Sequence, residues 1–231
     1  REHGIPVSNV PEYSTDTVAQ FTFGLILELC HRIGHHDLRV KVGEWPRRKD
    51  FCFWDFPLHE LAGRTLGLIG YGRIGQRVGE LASAFKMNLL VNTRTRRDDM
   101  AEWVETDTLF AQADIVSLHC PQTEDNLRFV NADKLSLMKP SAFFINTARG
   151  LLVHEQDLAD ALNSERIAGA AVDVVSAEPI ADDNPLLTAK NCIITPHMAW
   201  ATGAARERLM RTTTENVRAF IEGKPIHVVN P

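Results

Sequence analysis

The sequence predicts an α/β protein built on a doubly wound parallel sheet. Short apolar segments alternate with helical segments along most of the chain, and each apolar segment is continuous, as in strands buried on both faces. The first of them turns into a helix through Gly70-Tyr71-Gly72-Arg73-Ile74-Gly75, and two later ones run into Arg149 and His197. Because ligands of such sheets bind beyond the carboxyl ends of the strands, these residues are expected to share one site.

The predicted elements follow from apolar periodicity and from helix-capping residues such as Ser14 and Asp16. Strands are predicted over residues 65–69, 89–93, 115–119, 142–147, 170–175 and 192–195. Helices are predicted over residues 15–32, 74–85, 131–137, 155–164 and 202–222. A further short strand is predicted over residues 4–10, with no partner before it in the chain.

Composition limits the expected partners. The chain has 231 residues, of which 44% are hydrophobic, enough for one large domain. Its formal net charge of -5 lacks the basic surplus expected of a nucleic-acid-binding protein. No apolar run reaches the roughly 18 residues that span a bilayer. We therefore expect no nucleic-acid partner and no membrane partner.

The cysteines indicate the compartment. Cys30, Cys52, Cys120 and Cys192 are too far apart in sequence for a metal clip, and four in a chain of this length do not form a disulfide framework. We therefore expect free thiols, no metal site and a cytoplasmic location.

Two segments near the start of the chain have more apolar side chains than an exposed surface segment would have. The helix over residues 15–32 is apolar on several faces, so either a second subunit or the rest of its own chain covers it. Residues 35–62 show little periodicity but hold Trp45, Phe51, Phe53, Trp54 and Phe56. A long irregular segment with this many aromatics is interpreted as an arm that packs on a partner subunit.

The glycine-rich turn has the spacing of a dinucleotide-binding site. Gly70 permits a tight turn, Gly72 lets the backbone approach a pyrophosphate, and Gly75 allows the helix to pack closely on the strand. The amides of Arg73 and Ile74, at the start of the helix, add donors for the phosphates. A turn with a purely structural role is the alternative, but the strand–turn–helix context favours a Rossmann-type nucleotide domain.

The end of the second strand bears on cofactor choice. NAD-binding domains place an acid there to bind the ribose hydroxyls, whereas this chain has Thr93 followed by Arg94. A small hydroxyl followed by arginines suits the additional phosphate of NADP, because guanidinium groups pair with phosphate oxygens. The sequence therefore favours NADP(H) over NAD(H). The alternative is a solvated basic loop that Asp98 and Asp99 neutralise.

Four side chains after strand ends carry the predicted chemistry. His197 is suited to donate and accept a proton, because the ordinary pKa of histidine lies near neutral pH. Glu178 can orient the imidazole and favour its protonated form. Arg149 can bind a carboxylate and polarise a carbonyl, while Asp173 is placed to accept a bond from a nicotinamide amide. Each residue alone has an ordinary alternative, such as a turn histidine or a surface arginine, so their joint placement decides the interpretation.

These motifs together resemble the D-isomer-specific 2-hydroxyacid dehydrogenases, and within that family the glycerate dehydrogenase branch. The resemblance covers nearly the whole chain. It is carried by residues 67–75, His119-Cys-Pro-Gln-Thr123, Asn146-Thr-Ala-Arg-Gly150, Asp173 with Glu178-Pro179, and Thr195-Pro-His-Met-Ala-Trp200.

The resemblance implies a role for each matching residue. Arg149, Glu178 and His197 would be catalytic, and Arg149, His197 and Trp200 would contact the substrate. The cofactor would be bound by Gly70, Gly72, Arg73, Ile74, Gly75, Thr93, Arg94, His119, Pro121, Thr123, Thr147, Ala148 and Asp173. No residue is assigned to a metal.

The resemblance also implies an organisation. Residues 1–14 would be the tail of a substrate domain whose remainder is absent from this sequence, residues 15–224 the nucleotide domain, and residues 225–231 a segment returning toward the substrate domain. The arm over residues 35–62 would form a homodimer.

The implied reaction is hydride transfer between NAD(P)H and a small 2-keto acid, foremost hydroxypyruvate reduced to D-glycerate. Glyoxylate or another 2-keto acid is the alternative substrate. A nucleotide-sensing, corepressor-like binding module is the alternative of another class.

Overall fold

The computed structural model describes residues 5–96 and 101–230, and it confirms the predicted fold class. The strands are β1 Thr65–Ile69, β2 Asn88–Asn92, β3 Glu102–Trp103, β4 Ile115–Leu118, β5 Phe143–Asn146, β6 Gly169–Val172 and β7 Cys192–Ile194. They form one parallel sheet in the order β3-β2-β1-β4-β5-β6-β7. The order reverses direction between β1 and β4, which is where doubly wound sheets open a crevice for ligands.

The described part of the chain contains seven helices. They are α1 Thr15–His31, α2 Ile33–Lys41, α3 Arg73–Ala84, α4 Thr106–Gln112, α5 Ala132–Leu137, α6 Glu155–Asn163 and α7 Gly203–Ile221. Within residues 5–96 and 101–230, no helix combines the length and the apolar character needed to cross a bilayer.

The strand residues alternate between two cores, one on each face of the sheet. On one face, Val116 and Phe144 pack with side chains of α4, α5 and α6. On the other, Ile115 and Ile145 pack with side chains of α1 and α3. Both faces are therefore covered, which explains why the strands are continuously apolar in sequence.

Helix α1 is buried by its own chain. Its residues Phe23, Ile26 and Leu29 belong to the core that includes α3 and the strands. Of the two alternatives raised by its apolar faces, burial within one subunit therefore accounts for them without a second copy.

The segment 35–62 contains more structure than predicted. Helix α2 covers its first residues, and a single 3-10 turn follows at Trp45–Arg47. The sequence did not predict α2 because its nine residues hold only three large apolar side chains, Ile33, Leu38 and Val40, and none of them is buried in this chain.

Two elements between the second and third predicted strands were also missed. Strand β3 has only two residues, and α4 has seven, so neither is long enough to show a clear period. Helix α4 nevertheless buries Leu109 and Phe110 completely.

The predicted strand over residues 4–10 is reduced to one antiparallel bridge between Ser8 and Val228. The amide of Val229 donates to the carbonyl of Val7 at 2.9 Å, and the amide of Asn9 donates to His227 at 2.9 Å. The first and last described segments therefore lie side by side. Their assignment to a substrate domain stays a prediction, and Gly4 lies outside the described residues.

Candidate active site

A cleft runs along the carboxyl edge of the sheet, as the fold class predicts. It consists of three adjoining hollows of about 480, 480 and 350 Å³. One reaches the end of β2 at Thr93, one reaches Arg149 after β5, and one reaches Tyr13 before α1. His119, which follows β4, lines all three hollows.

The glycine-rich turn is shaped by close backbone contacts. Gly70 has φ +96°, and a Cβ there would overlap the backbone of His119 and Cys120. A Cβ on Gly75 would overlap the carbonyl oxygen of Gly70. Gly72, in contrast, faces open space, so an approaching group can reach the first amides of α3. The close contacts at Gly70 and Gly75 and the open face of Gly72 are those that the spacing predicts, and binding of a pyrophosphate at this turn stays a prediction.

The flanking residues complete this part of the cleft. Ile74, Pro121 and Thr123 line it, and their contact with a cofactor stays a prediction. The guanidinium of Arg73 instead pairs with Glu12 at 2.6 Å. Because this side chain is engaged with Glu12, the backbone amide of Arg73 is the group suited to a phosphate.

Beyond β2, Thr93 and Arg94 line the outer hollow. Arg94 is also near enough to Cys120 to oppose the rise that burial causes in the pKa of that thiol. Arg96 is engaged elsewhere, because its guanidinium carbon lies 3.4 Å from the centre of the Trp103 ring. Asp98 and Asp99, the alternative partners of this basic loop, lie outside the described residues.

His119 is held as a neutral side chain. Its Nε2 lies 2.9 Å from Oγ of Ser117, and burial lowers its pKa from 6.5 to about 4. At neutral pH it offers the cleft a polar imidazole without adding a positive charge.

The turn after β5 presents Thr147, Ala148 and Arg149. It is organised by Asn146, whose side chain accepts from the amide of Ala148 at 3.0 Å and donates to the carbonyl of Arg149 at 2.9 Å. The Arg149 side chain is exposed and its Nη1 donates to the Ala148 carbonyl at 2.6 Å. This leaves further guanidinium donors for a carboxylate.

The side chain of Thr147 contacts Thr22, a residue that was not singled out in the sequence. Its Oγ1 lies 3.0 Å from Oγ1 of Thr22, which is completely buried on α1 and also donates to the carbonyl of Val18. A buried hydroxyl in an apolar helix needs a partner, and that requirement is the signal that would have drawn attention to Thr22.

Glu178 and His197 meet across two loops. Oε2 of Glu178 lies 2.6 Å from Nδ1 of His197, and both side chains remain partly exposed. The other oxygen, Oε1, accepts from the amide of Val175 at 3.2 Å. Because Nδ1 faces the carboxylate, Nε2 is the imidazole atom available to a ligand.

The loop that carries His197 is held by Asp173. The carboxylate accepts from the Thr195 hydroxyl at 2.6 Å, from the amide of Met198 at 2.9 Å and from that of Ala199 at 2.8 Å. The side chain is buried, at 1% exposure. A nicotinamide contact of Asp173 stays a prediction, whereas the contacts seen here position the histidine loop.

Trp200, the other predicted substrate residue, lies on the same loop. Its ring meets that of Tyr13 edge-on, with 6.3 Å between the centroids. Tyr13 precedes α1 and lines the third hollow. Arg149 therefore lines the second hollow and Trp200 contacts Tyr13 of the third, whereas Thr93 and Arg94 line the first.

The residues of this cleft fit a dinucleotide. The open face of Gly72 at the start of α3 suits a diphosphate, and hollows extend from it toward Thr93 on one side and Arg149 on the other. Within residues 5–96 and 101–230, no cluster of three metal-ligating side chains accompanies it. A dinucleotide cleft at the carboxyl edge of a sheet that also presents Arg149 and the Glu178–His197 pair defines the class: an α/β oxidoreductase.

Comparison with known proteins identifies the family. Residues 23–199 match the model of the D-isomer specific 2-hydroxyacid dehydrogenase, NAD binding domain. The chain belongs to the D-isomer specific 2-hydroxyacid dehydrogenases, which are NAD-dependent oxidoreductases.

The similarity to known proteins extends over nearly the whole of this chain. It is 47% identical to a hydroxypyruvate reductase of Blautia hydrogenotrophica, over 100% of this chain and 73% of that protein. It is 40% identical to a glycerate dehydrogenase of Methylorubrum extorquens, over 99% and 73%. Its structure resembles an acyclic imino acid reductase in complex with NADPH and D-Arg, with a TM-score of 0.88 and 35% identity, over 99% of this chain and 72% of that one.

Proposed function

We propose that this protein reduces hydroxypyruvate to D-glycerate with a preference for NADPH, or runs the reverse reaction. The observation that carries the proposal is the 2.6 Å contact between Nδ1 of His197 and Oε2 of Glu178 at the carboxyl edge of the sheet that also presents Arg149. This arrangement supplies a proton donor and a carboxylate-binding cation beside a dinucleotide cleft.

The residues divide the chemistry. When bound, the reduced nicotinamide would supply a hydride to the keto carbon. Nε2 of His197 gives a proton to the oxygen of that carbonyl, because Nδ1 is directed at Glu178. Glu178 holds the imidazole in this orientation and stabilises its positive charge. Arg149 binds the carboxylate of the keto acid and stabilises negative charge that develops on the oxygen.

The substrate assignment rests on this arginine and on the relatives. A 2-keto acid presents a carboxylate, which Arg149 can bind, next to a carbonyl, which His197 can protonate. The two curated relatives are named for hydroxypyruvate and glycerate. Glyoxylate has the same carboxylate and carbonyl without the side chain, and so it is the main alternative substrate.

The preference for NADPH rests on Thr93 and Arg94. No carboxylate occupies position 93, and Arg94 lines the hollow where the adenosine ribose would lie. A structural relative binds NADPH. An arginine at this place favours a ribose phosphate over a ribose hydroxyl.

The homodimer stays a proposal that the aromatic arm supports. Phe51 is 88% exposed and Trp54 is 61% exposed in the single chain. Side chains this large are seldom left in water when they cluster, so a second copy is the proposed cover. Light scattering should give twice the mass of the chain, and a single-chain mass would contradict it. The cytoplasmic location also stays a prediction.

Turnover tests the reaction directly. Oxidation of NADPH or of NADH by the full-length protein would be followed by absorbance, with hydroxypyruvate and with glyoxylate as substrates. We expect the highest kcat/KM with hydroxypyruvate and NADPH. A higher kcat/KM with NADH would support the proposed reductase activity but would contradict the proposed role of Arg94 in cofactor choice.

The His197→Ala variant tests the mechanism. General acid catalysis is worth about two or more orders of magnitude, so turnover should fall by about 100-fold or more while NADPH affinity, followed by fluorescence, stays unchanged. Retained turnover would refute the proton-donor role. Tight NADPH binding by the parent with no turnover of any keto acid would favour the nucleotide-sensing alternative.

A further inference from the structure

We propose that Glu155 is a positioning residue for the Glu178–His197 pair, although it lies outside the cleft at the start of α6. It anchors the loop that carries Glu178 and so maintains the carboxylate–imidazole contact. The inference rests on the proposed acid–base role of His197.

Both oxygens of the Glu155 carboxylate bind this loop. Oε1 accepts from the amide of Ser176 at 2.6 Å, and Oε2 accepts from the Ser176 hydroxyl at 2.6 Å. Oε2 also accepts from Nδ2 of Asn184 at 3.0 Å. A single carboxylate therefore receives three hydrogen bonds from two residues of the loop.

These two residues bracket Glu178. Ser176 precedes it by two positions, and Asn184 follows it by six. Most residues between them are exposed, whereas Asn184 is buried and its Oδ1 accepts from the amide of Leu186 at 3.0 Å. Because the intervening loop has little burial of its own, its two anchored ends determine where Glu178 lies.

The same loop rests on the turn that carries Arg149. A Cβ on Gly150 would overlap the carbonyl of Val175 and approach the amide of Ser176. The Ser176 amide thus lies beside Gly150 and also donates to Glu155. This contact ties the position of Glu178 to that of Arg149 as well as to α6.

The chemistry of the anchor requires a carboxylate. All three donors are neutral, and the carboxylate also lies in the first turn of α6, where the helix dipole favours negative charge. Glutamine has the same shape, but its NH2 group cannot accept the bond from the Ser176 amide at one position or from Nδ2 of Asn184 at the other. The Glu155→Gln substitution therefore loosens the loop without leaving a cavity.

The ionisable groups around the pair come from several elements. The imidazole of His197 faces Glu178, while the Asp173 carboxylate on β6's end bonds the backbone of the histidine loop. Arg149 belongs to the turn against which the Glu178 loop rests. On α6, His154 and Asp157 pair with each other at 2.9 Å, and Asp182 and Asp183 lie within the anchored loop.

The test is an NMR titration of the His197 imidazole in the full-length protein without substrate. Loss of a nearby carboxylate disfavours the imidazolium, so Glu178→Gln should move the titration midpoint to lower pH. We expect Glu155→Gln to move it in the same direction. Added to Glu178→Gln, it should cause no further shift, because its effect passes through Glu178. Ser176→Ala, which removes one donor, should give a smaller shift of the same sign.

Asp157→Asn is the matched control on the same helix. Its carboxylate accepts from the amide of Ala132 at 2.8 Å and does not bond the Glu178 loop. This substitution should leave the midpoint unchanged. An unmoved midpoint in both Glu155→Gln and Ser176→Ala, or additive shifts in the double variant, would overturn the proposal.

Turnover separates this inference from the proposed function. We expect Glu155→Gln to lower kcat by about tenfold, a part of the general-acid contribution, with NADPH affinity unchanged. If the parent reduces no keto acid but the midpoint still moves as expected, the proposed function fails and the positioning role stands. If the parent is active and the midpoint does not move, the positioning role fails alone.

Discussion

The amide of His197 donates to the carbonyl of Asp173 at 2.8 Å, which joins the residue after β6 to the loop after β7. His197 has φ +50°, a left-handed conformation that costs a residue with a Cβ some free energy. The side chain of Asp173 holds the next amides of the same loop. The strained backbone is thus fixed by one buried carboxylate, which directs the imidazole toward Glu178.

The Asp173→Asn variant should lose this support. The NH2 group of asparagine would oppose an N–H or O–H donor, and an unsatisfied buried group costs about 1–3 kcal/mol. We expect a loss of this size in the free energy of unfolding, measured with urea, together with reduced kcat. Thr195→Val removes only the hydroxyl donor and should cost about 1 kcal/mol. Equal stability of Asp173→Asn and the parent would contradict the role.

Gly150→Ala should destabilise the protein and impair catalysis. A Cβ at this position overlaps backbone atoms of Val175, and backbone cannot move aside as a flexible side chain can. We expect a loss of about 2 kcal/mol or more, in the range of overpacked sites, measured by urea unfolding. Gly24→Ala is the control. Its Cβ meets nothing within 4 Å in the middle of α1, so it should stabilise by about 0.5–1 kcal/mol. The same sign for both changes would refute the argument.

The His119 imidazole predicts a pH dependence of stability. Its pKa is about 4 in the folded chain against 6.5 ordinarily, so the unfolded chain binds the extra proton first as the pH falls. Stability due to this group is full above pH 6.5 and is lost as the pH falls toward 4. At about 1.4 kcal/mol per pKa unit, the loss is about 1–3 kcal/mol for a partly exposed ring.

Urea unfolding at several pH values between 4 and 7 measures this loss. The His119→Asn variant should show a flatter profile than the parent across that window. An unchanged slope in His119→Asn would show that this imidazole is not the cause.

Arg94 and Arg96 should differ in their effect on cofactor choice. Arg94 lines the cleft, whereas Arg96 stacks on Trp103. A charge-assisted bond to phosphate is worth about 1.5–3 kcal/mol, so Arg94→Ala should raise KM for NADPH by about tenfold or more with little change for NADH. Arg96→Ala should change neither. Equal effects of the two substitutions on the KM for NADPH would contradict a specific role of Arg94 and would indicate only a general effect of positive charge in this loop.

The parts of the fold with strong local signals could be predicted from the sequence. The strand, glycine turn and helix around Gly72 were predicted correctly, because an apolar segment followed by glycines at this spacing is typical of one strand–turn–helix structure. Helix α4 was missed because a seven-residue helix that buries only Leu109 and Phe110 has too short a pattern. Helix α2 was missed because it buries nothing in its own chain.

The sequence could predict candidate members of the site but not their connections. Arg149, Glu178 and His197 were proposed because they follow strand ends, and the structure places Glu178 and His197 in contact. The anchoring of their loops by Glu155, Asp173 and Thr22 could not be read from sequence, since each depends on a partner at least 21 positions away. Spacing within a motif shows which groups meet a ligand, whereas only coordinates show what holds those groups.

The reversal of strand order between β1 and β4 has a consequence for engineering. The residues proposed to select the adenosine end of the cofactor follow β1 and β2, whereas the proposed catalytic residues Arg149, Glu178 and His197 follow β5, β6 and β7. We therefore expect that redesign of residues 65–96 can exchange one nucleotide for another while the proposed acid–base residues are left intact. Conversely, we expect libraries confined to residues 146–200 to affect the reaction with the carbonyl compound and to leave the choice of nucleotide unchanged.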